Sequence, residues 1–361
     1  MDSQQSPTTS ELLHRRLVEG SAPGARSDDY RVALAVEGGG MRGVVSSGML
    51  LALEQVGYHD GFDLVIGTSA GALAAAFFVM ERATEGSVLF YTELNNAPFL
   101  DKRNALRRRK AIDLDYLVDR AAPERGLDYQ LLDSSGIELW ATVAAAEDGN
   151  PIKRLRLDGD NDRMDAILKA SAALPVLGGA SRFVDGEPYV DGGLSEQIPW
   201  RSAMDLGATH VLVLPSRPVD EVEEASKMTF IEKFATTKIV GSLHGQRVAE
   251  LVGRLPDAAT NQALSLLAVA DGSASPLLSD GGSWAGHLEL VDIPDIVRIP
   301  SRLETKRVTL LDGLVGGART MLEHFGIDDS ITVEQRVVLH HPDVQVQEFR
   351  SEQLTQIVAD S

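Results

Sequence analysis

Short apolar runs alternate with helical patterns in the first eighty residues. Residues 31–36 read RVALAV and residues 62–66 read FDLVI. Each run is followed by glycines and then by an apolar segment with helical spacing, at Met41–Gly57 and Ala70–Met80. Short, mainly apolar runs of this length are typical of strands that are buried on both faces. The repeated order of strand, glycine turn and helix therefore predicts an α/β fold of parallel strands joined by crossover helices.

The rest of the chain continues this alternation. Asp185-Gly186 separates two short strand-like stretches, which is typical of a hairpin turn. A short helix is expected near Ser10–Glu19. The pattern further predicts strands at Glu138–Ala146, Ile152–Leu157 and Thr209–Leu214, a hairpin at Arg182–Gly193, and helices at Asp162–Ala173 and Trp200–Leu206.

Composition divides the chain into three expected parts. Residues 1–30 are rich in Ser, Thr, Gln, Gly and Pro, and we expect a flexible segment there apart from the short helix. Residues 31–218 carry the strand and helix pattern and are expected to form one domain. Residues 219–361 are expected to be a mostly helical accessory region, with a strand or loop section at Leu288–Ile299.

Charge narrows the classes of partner. The 361 residues include 53 acidic and 34 basic side chains, which gives a formal net charge of −19. Nucleic acid is excluded as a general partner, because phosphate contacts need a basic surface. Docking on anionic membranes is weakened as well, unless a local basic patch opposes the net charge. Lys102–Lys110, with the sequence KRNALRRRK, is the candidate for such a patch.

The chain contains no cysteine, so disulfides, thiolate metal sites and a cysteine nucleophile are all absent. The first thirty residues lack the apolar core of a signal peptide. The longest uncharged stretch, Leu64–Met80, is broken by glycines and is shorter than the roughly 20 residues that a spanning helix needs. We therefore expect a soluble, cytoplasmic protein whose contact with membranes, if it makes any, is peripheral.

The segment Gly67–Gly71, GTSAG, fits the pattern G-x-S-x-G. This pattern places a serine on a sharp turn between a strand and a helix, with its hydroxyl exposed at the end of the sheet. Here it lies between an apolar run and a helical segment, as the pattern requires. The glycines are needed because larger side chains would collide with the backbone of the strained turn. Ser69 is therefore a candidate nucleophile.

The segment Glu37–Gly43, EGGGMRG, also follows a strand and begins a helix. It satisfies the dinucleotide fingerprint G-x-G-x-x-G, but the second strand does not end in the acidic residue that a ribose would need. The other interpretation is an oxyanion hole, formed by consecutive backbone N–H groups at a helix start.

A serine nucleophile needs a base, and histidine is the usual one. None of the eight histidines, among them His210 and the pair His340-His341, has a sequence setting that resembles a triad histidine. Asp191, followed by Gly192-Gly193, could instead approach Ser69 closely enough to act as its base. The pair His340-His341 also lacks companion ligands at a spacing that would suggest a metal site.

Together these motifs resemble those of the patatin-like phospholipases. The family pattern is G-G-G-x-R-G, then G-x-S-x-G, then D-G-[GA], and all three occur here in that order, at Gly38–Gly43, Gly67–Gly71 and Asp191–Gly193. The segments KASAALPVL and EPYVDGGLSEQIPW are similar to the family as well. The likeness extends over about residues 32–218. Glu37 departs from the aspartate that often precedes the triple glycine.

The resemblance implies a mostly parallel central sheet sandwiched by helices, and a serine lipid acyl hydrolase acting on acyl-glycerolipids or phospholipids. Asp191 would take the proton of Ser69, which attacks the ester. The N–H groups of Gly38, Gly39 and Gly40 would bind the oxyanion. The resemblance assigns supporting positions to Arg42, Gly67, Gly71 and Gly192, and it implies no cofactor and no metal. A non-catalytic binding module, a Ser-His-Asp hydrolase and a nucleotide-binding oxidoreductase remain alternatives.

Overall fold

The computed structural model describes most of the chain, in the ranges 6–101, 103–104, 110–147, 152–175, 177–219 and 246–327. Within these residues a central sheet has the strand order β5-β6-β3-β2-β1-β7-β8, and β4 pairs with β3 outside this path. The strands are β1 (Val32–Val36), β2 (Leu64–Thr68), β3 (Glu138–Ala145), β4 (Ile152–Arg156), β5 (Arg182–Val184), β6 (Glu187–Asp191), β7 (His210–Leu214) and β8 (His287–Leu290).

Helices cover both faces of the sheet. A further irregular helical stretch spans 114–124 and includes one π-helical turn, Leu117–Ala121. The regular helices are α1 (Thr9–Glu19), α2 (Gly43–Gln55), α3 (Ala70–Val79), α4 (Ala83–Thr92), α5 (Tyr129–Ser134), α6 (Asn161–Ser171), α7 (Trp200–Asp205), α8 (Gln246–Ala270) and α9 (Arg307–His324).

The centre of the sheet is parallel and fully buried. β1 pairs in parallel with β2 and β7, β2 with β3, and β7 with β8. Successive side chains of a strand point to opposite faces. In β1, Leu34 packs in the core beneath α2 and α9, whereas Ala33 and Ala35 pack in the core beneath α7 and α8. These contacts confirm the α/β prediction of a mostly parallel sheet between two helical layers.

The amino-terminal segment contains the short helix that the sequence predicts near Ser10–Glu19. Helix α1 begins with a capping box, in which Thr8 and Glu11 satisfy each other's backbone N–H groups. Arg16 is fully buried and forms ion pairs with Asp28 and Asp63, each at 2.8 Å. A buried arginine with two carboxylate partners thus fixes this helix beside the sheet. The flexibility expected of the other residues in 1–30 stays a prediction.

Residues beyond 218 add to the same sheet and core. β8 extends the sheet beside β7. Helix α9 lies directly against α2, and both helices need glycine at the contact: a Cβ on Gly48 would lie 2.0 Å from Leu314 O, and one on Gly317 would lie 2.0 Å from Val45 O. The limits predicted for the domains stay a prediction, since 220–245 and everything after 327 lie outside the described residues.

The length and the apolar content of a helix decide whether it could span a membrane. In the described ranges, no helix is both long enough and apolar enough to cross a bilayer.

Candidate active site

Ser69 occupies a strained turn between β2 and α3. Its backbone has φ 55° and ψ −123°, a combination that is rare for a residue with a side chain. Both neighbouring glycines are required by close packing. A Cβ on Gly67 would lie 2.5 Å from the backbone of Ala72, and one on Gly71 would lie 2.6 Å from Glu37 O. The turn thus has the geometry that G-x-S-x-G predicts, with Ser69 half-buried at the carboxyl end of the strand.

Asp191 meets Ser69 from β6, which is separated from β2 by β3 in the sheet. Ser69 Oγ donates a hydrogen bond of 2.9 Å to Asp191 Oδ2. The second carboxylate oxygen, Oδ1, accepts the N–H of Gly193 at 2.7 Å. Asp191 ends β6, which pairs with β3 at Val143. The neighbouring Gly192 is needed because a Cβ there would lie 2.3 Å from the carbonyl oxygen of Thr142.

Burial makes Asp191 a stronger base than an ordinary aspartate. Loss of solvent raises the pKa of its carboxyl group to about 6, because a buried carboxylate is less well solvated than in water. The Gly193 N–H, the Ser69 hydroxyl and the positive charge of Arg302 act in the opposite direction and limit this rise in pKa. The group is thus mostly ionised at neutral pH.

Histidines in the described part of the chain make their contacts elsewhere. His59 lies beside Val79 O, at 3.2 Å, and His210 Nε2 lies 2.9 Å from Pro7 O. No histidine of the described ranges lines the cavity at Ser69. His340 and His341 lie outside the described residues.

The glycine loop after β1 differs in one respect from the predicted oxyanion hole. Gly38 donates its N–H to Gln197 O at 3.0 Å, so this donor is already engaged. Gly39 and Gly40 make no N–H hydrogen bond with any residue that the structure describes. Gly40, at φ 58°, lines the same cavity as Ser69. Two of the three predicted donors thus have no hydrogen-bond partner among the described residues.

A buried polar network lies beside the glycine loop that follows β1. Glu37 Oε2 accepts the backbone N–H of Ser216 at 2.6 Å and its hydroxyl at 3.0 Å. Arg217 lies 3.6 Å from Glu37 Oε1 and donates to Gln197 Oε1 at 3.2 Å. The glutamate that departs from the family pattern therefore ties the end of β1 to the loop after β7.

Arg42 joins the glycine loop to a segment far along the chain. Its Nε donates to Ile299 O at 3.2 Å. The adjacent Met41 donates its N–H to Arg302 O at 3.0 Å. Arg42 thus links the loop to the segment 299–303, and these two contacts bring that segment to the site.

Ser171 is a site residue that the sequence analysis missed. It is fully buried at the end of α6. Its hydroxyl accepts the N–H of Ser69 at 2.9 Å and donates to Thr142 O at 2.8 Å. Because a buried N–H without a partner is costly, this hydroxyl stabilises the strained backbone of Ser69. The signal in the sequence was the serine in KASAAL, but its contact depends on tertiary packing.

An apolar cavity opens beside the two reacting side chains. Ser69, Asp191 and Arg302 are the hydroxyl-bearing and charged side chains among its described lining residues. The remainder of the wall is mainly aliphatic and aromatic, and includes Leu73, Phe90, Leu94, Phe99, Leu100, Ile112, Leu114, Leu117, Leu168, Leu174 and Leu177. A larger, open and polar groove, lined by Tyr129, Asp165 and Lys169, contains neither Ser69 nor Asp191. The apolar cavity is therefore the one connected with chemistry at Ser69.

Comparison with known proteins agrees with this geometry. Residues 34–204 match the family model of the Patatin-like phospholipases. Over these residues the chain is similar to a patatin-like phospholipase domain. The chain is also similar to "Uncharacterized protein YjjU" of Escherichia coli K12, with 29% identity over 191 residues that cover 52% of each protein. The chain thus matches about half the length of that relative.

A solved structure, VipD from Legionella pneumophila, matches with a TM-score of 0.38 and 12% identity, and the match covers 83% of this chain and 67% of VipD.

The match of residues 34–204 to the family model confirms the resemblance predicted from the three motifs. The family consists of lipid acyl hydrolases, and residues 34–204 contain Ser69, Asp191 and the glycine loop. Ile299 and Arg302 lie outside the matched range.

Replacing Ser171 by alanine removes the partner of the Ser69 N–H. Since a lost buried hydrogen bond costs about 1–3 kcal/mol, we expect Ser171→Ala to slow the reaction of Ser69 with a fluorophosphonate probe by roughly tenfold. The measurement is the second-order rate of labelling, followed by mass spectrometry of the Ser69 peptide.

Thr320→Ala is the matched control, because it removes a buried hydroxyl that donates to Gly316 O within α9, at 2.8 Å. The control should label at the wild-type rate. Equal labelling rates for Ser171→Ala and wild type would show that the hydroxyl does not position the nucleophile.

Proposed function

We propose that this protein is a serine lipid acyl hydrolase that cleaves the fatty-acyl esters of acyl-glycerolipids, in the manner of a phospholipase A or carboxylesterase. The observation that carries the proposal is the 2.9 Å hydrogen bond from Ser69 Oγ to Asp191 Oδ2, beside an apolar cavity. A nucleophile, a base and a wall suited to hydrocarbon are thereby combined at one site.

The reaction begins with proton transfer from Ser69 Oγ to the carboxylate of Asp191. The oxygen then attacks the ester carbonyl carbon and gives a tetrahedral intermediate, whose oxyanion accepts the N–H groups of Gly39 and Gly40. When the intermediate collapses, the alcohol leaves with the proton from Asp191. Water attacks the acyl-enzyme in the same way, and the fatty acid departs as Ser69 regains its proton.

The pKa of Asp191 suits this role only in part. A pKa of about 6 makes the carboxylate a better base than an ordinary aspartate, although it is still weak toward a serine hydroxyl. Much of the acceleration must therefore come from oxyanion binding, since one donor typically contributes about 10²–10³ in rate. The free N–H groups of Gly39 and Gly40 therefore contribute a large share of catalysis.

The cavity supports a lipid as the acylated substrate. Aliphatic and aromatic side chains surround the space next to Ser69, and burying each methylene of an acyl chain against them contributes about 0.8 kcal/mol. A short polar ester would gain little from such a wall. We therefore assign the cavity to the fatty-acyl chain of the substrate.

We also propose that Lys102–Lys110 contacts anionic lipid near the cavity. Most of this segment lies outside the described residues. Leu100 and Ile112 flank this segment, and these two residues pair as a β-bridge and line the cavity. The basic segment is therefore connected at both ends to the wall of the substrate site.

Replacing Ser69 by alanine should abolish hydrolysis of p-nitrophenyl esters and of phospholipid, and Asp191→Asn should lower kcat by about 10³-fold or more, because each variant removes one partner of the proton transfer. Circular dichroism should show an unchanged fold. Residual activity in Ser69→Ala equal to that of wild type would contradict the proposal.

His210→Ala serves as the control for a histidine base. His210 hydrogen-bonds to Pro7 O at 2.9 Å, so its loss should leave kcat near the wild-type value. If His210→Ala damaged kcat as much as Asp191→Asn, a Ser-His-Asp triad would replace the dyad.

Activity should rise with pH through the pKa of Asp191. The carboxylate must be ionised to accept a proton, so kcat/KM should be lost as pH falls below about 6 and reach a plateau above it. The measurement is the pH dependence of kcat/KM for a soluble, non-ionising ester. A profile that stays flat between pH 5 and pH 7, about one unit on either side of that pKa, would contradict this role for Asp191.

Replacing Arg107–Arg109 by glutamine should weaken binding to vesicles that contain phosphatidylserine. Each basic residue near such a surface contributes about 1 kcal/mol, so three substitutions should lower the partition coefficient by roughly 100-fold, measured by co-sedimentation. A triple glutamine variant of the exposed Arg120, Arg156 and Arg201 is the charge-matched control. Equal loss in both variants would show that only net charge matters.

A further inference from the structure

Arg302 brings a cation to the site from outside the patatin-like range. It lines the apolar cavity together with Ser69, Asp191 and Gly40. Its backbone is fixed there, since its carbonyl oxygen accepts the N–H of Met41 at 3.0 Å. A Cβ on Gly40 would lie 2.7 Å from the same oxygen, so the segment and the glycine loop are in direct contact.

The guanidinium of Arg302 has no hydrogen bond or ion pair with any residue that the structure describes. Burial lowers the pKa of the group, and the charge of Arg217 acts in the same direction, while Glu37 and Asp191 favour the cation. Arginine nevertheless stays protonated in proteins, with five N–H donors in a planar fork. A largely enclosed cation with unused donors is costly unless an anion binds to it.

The neighbouring carboxylates are already engaged. Asp191 uses one oxygen for Ser69 and the other for Gly193. Glu37 uses Oε2 for Ser216 and lies beside Arg217 through Oε1. Among the described residues nothing pairs with this guanidinium, and a bound anion can supply its partner, since the rest of the cavity wall is apolar.

We propose that Arg302 binds the phosphate of a glycerophospholipid next to the ester that Ser69 attacks, and thereby selects phospholipids over neutral acylglycerols. This inference rests on the proposed function, because it assigns the substrate class of the same site. In a glycerophospholipid the phosphodiester lies a few bonds from the acyl esters, so one molecule can reach Ser69 and Arg302 together. A guanidinium suits this task because its planar fork matches two phosphate oxygens.

The selecting residue lies outside the range that carries the reaction. Residues 34–204 contain the nucleophile, the base and the oxyanion loop, whereas Arg302 belongs to the later segment that Arg42 and Met41 hold against the loop. Substrate choice and chemistry are thus encoded in separate parts of the chain.

The test compares Arg302→Gln with wild type on two short-chain lipids with identical acyl groups, a phosphatidylcholine and a diacylglycerol, both below their micelle concentrations. A charged hydrogen bond of about 1.5–3 kcal/mol corresponds to roughly 10- to 100-fold, so the ratio of kcat/KM for phospholipid over diacylglycerol should fall by that factor. The ratio is the readout because loss of the cation near Asp191 also raises the pKa of that base and slows both reactions at neutral pH.

Arg298→Gln is the matched control, because Arg298 is an exposed arginine four positions earlier on the same segment. Its ratio should equal that of wild type. An unchanged ratio in Arg302→Gln would overturn the inference. If both kcat/KM values fell by the same factor, Arg302 would act on the oxyanion or on Asp191 instead. A wild-type protein that cleaves neither lipid nor a p-nitrophenyl ester would instead contradict the proposed function.

A second measurement needs no variant. An alkylphosphocholine has the phosphodiester but no ester, so it should inhibit hydrolysis of the p-nitrophenyl ester by wild type competitively. It should bind at least tenfold more tightly than an alkylglycerol ether of equal chain length, which has no charge. Equal inhibition constants for the two compounds would overturn the inference even if Arg302→Gln failed to fold.

Discussion

The backbone of Ser69 is the constraint on which the site depends. Its φ of 55° and ψ of −123° cost about 1–3 kcal/mol, and such strain persists only where the surrounding structure determines it. Gly67 and Gly71 allow α3 to begin directly against β1 and β2, and the Ser171 hydroxyl occupies the N–H of Ser69. Without this turn the Oγ atom would not leave the end of β2 in the direction of Asp191.

The parallel sheet explains why residues from distant motifs converge. Carboxyl ends of parallel strands lie at one edge of a sheet, and ligands bind in the crevice outside that edge. β1 ends in the glycine loop, β2 ends at Ser69, and β7 leads to Ser216, which holds Glu37. Asp191 reaches the same edge differently, because β6 runs antiparallel to β3 and ends beside it. A single sheet edge thereby collects Ser69, Asp191 and the glycine loop, the residues that the proposed mechanism uses.

The sequence predicted those elements and residues whose conformation depends on their neighbours along the chain. Glycines that a turn demands, such as Gly67 and Gly192, are visible in sequence because no other residue fits. The partner of a backbone N–H is not visible, so the engagement of Gly38 by Gln197 and the role of Ser171 were missed. Arg302 was missed for the same reason, since one arginine in an irregular segment has no motif and gains meaning only from the cavity that it faces.

Arg302 influences Asp191 through its charge and forms no ion pair with it. A direct ion pair with an arginine would lower the pKa of Asp191 by about 1–3 units and would make the carboxylate a poorer base. Without a cation nearby, burial would raise that pKa further and leave less of the carboxyl group ionised at neutral pH. Arg302 acts on Asp191 through its charge alone, without a hydrogen bond, and the pKa settles near 6. Its donors remain available to a substrate phosphate, so one side chain can adjust the base and select the lipid.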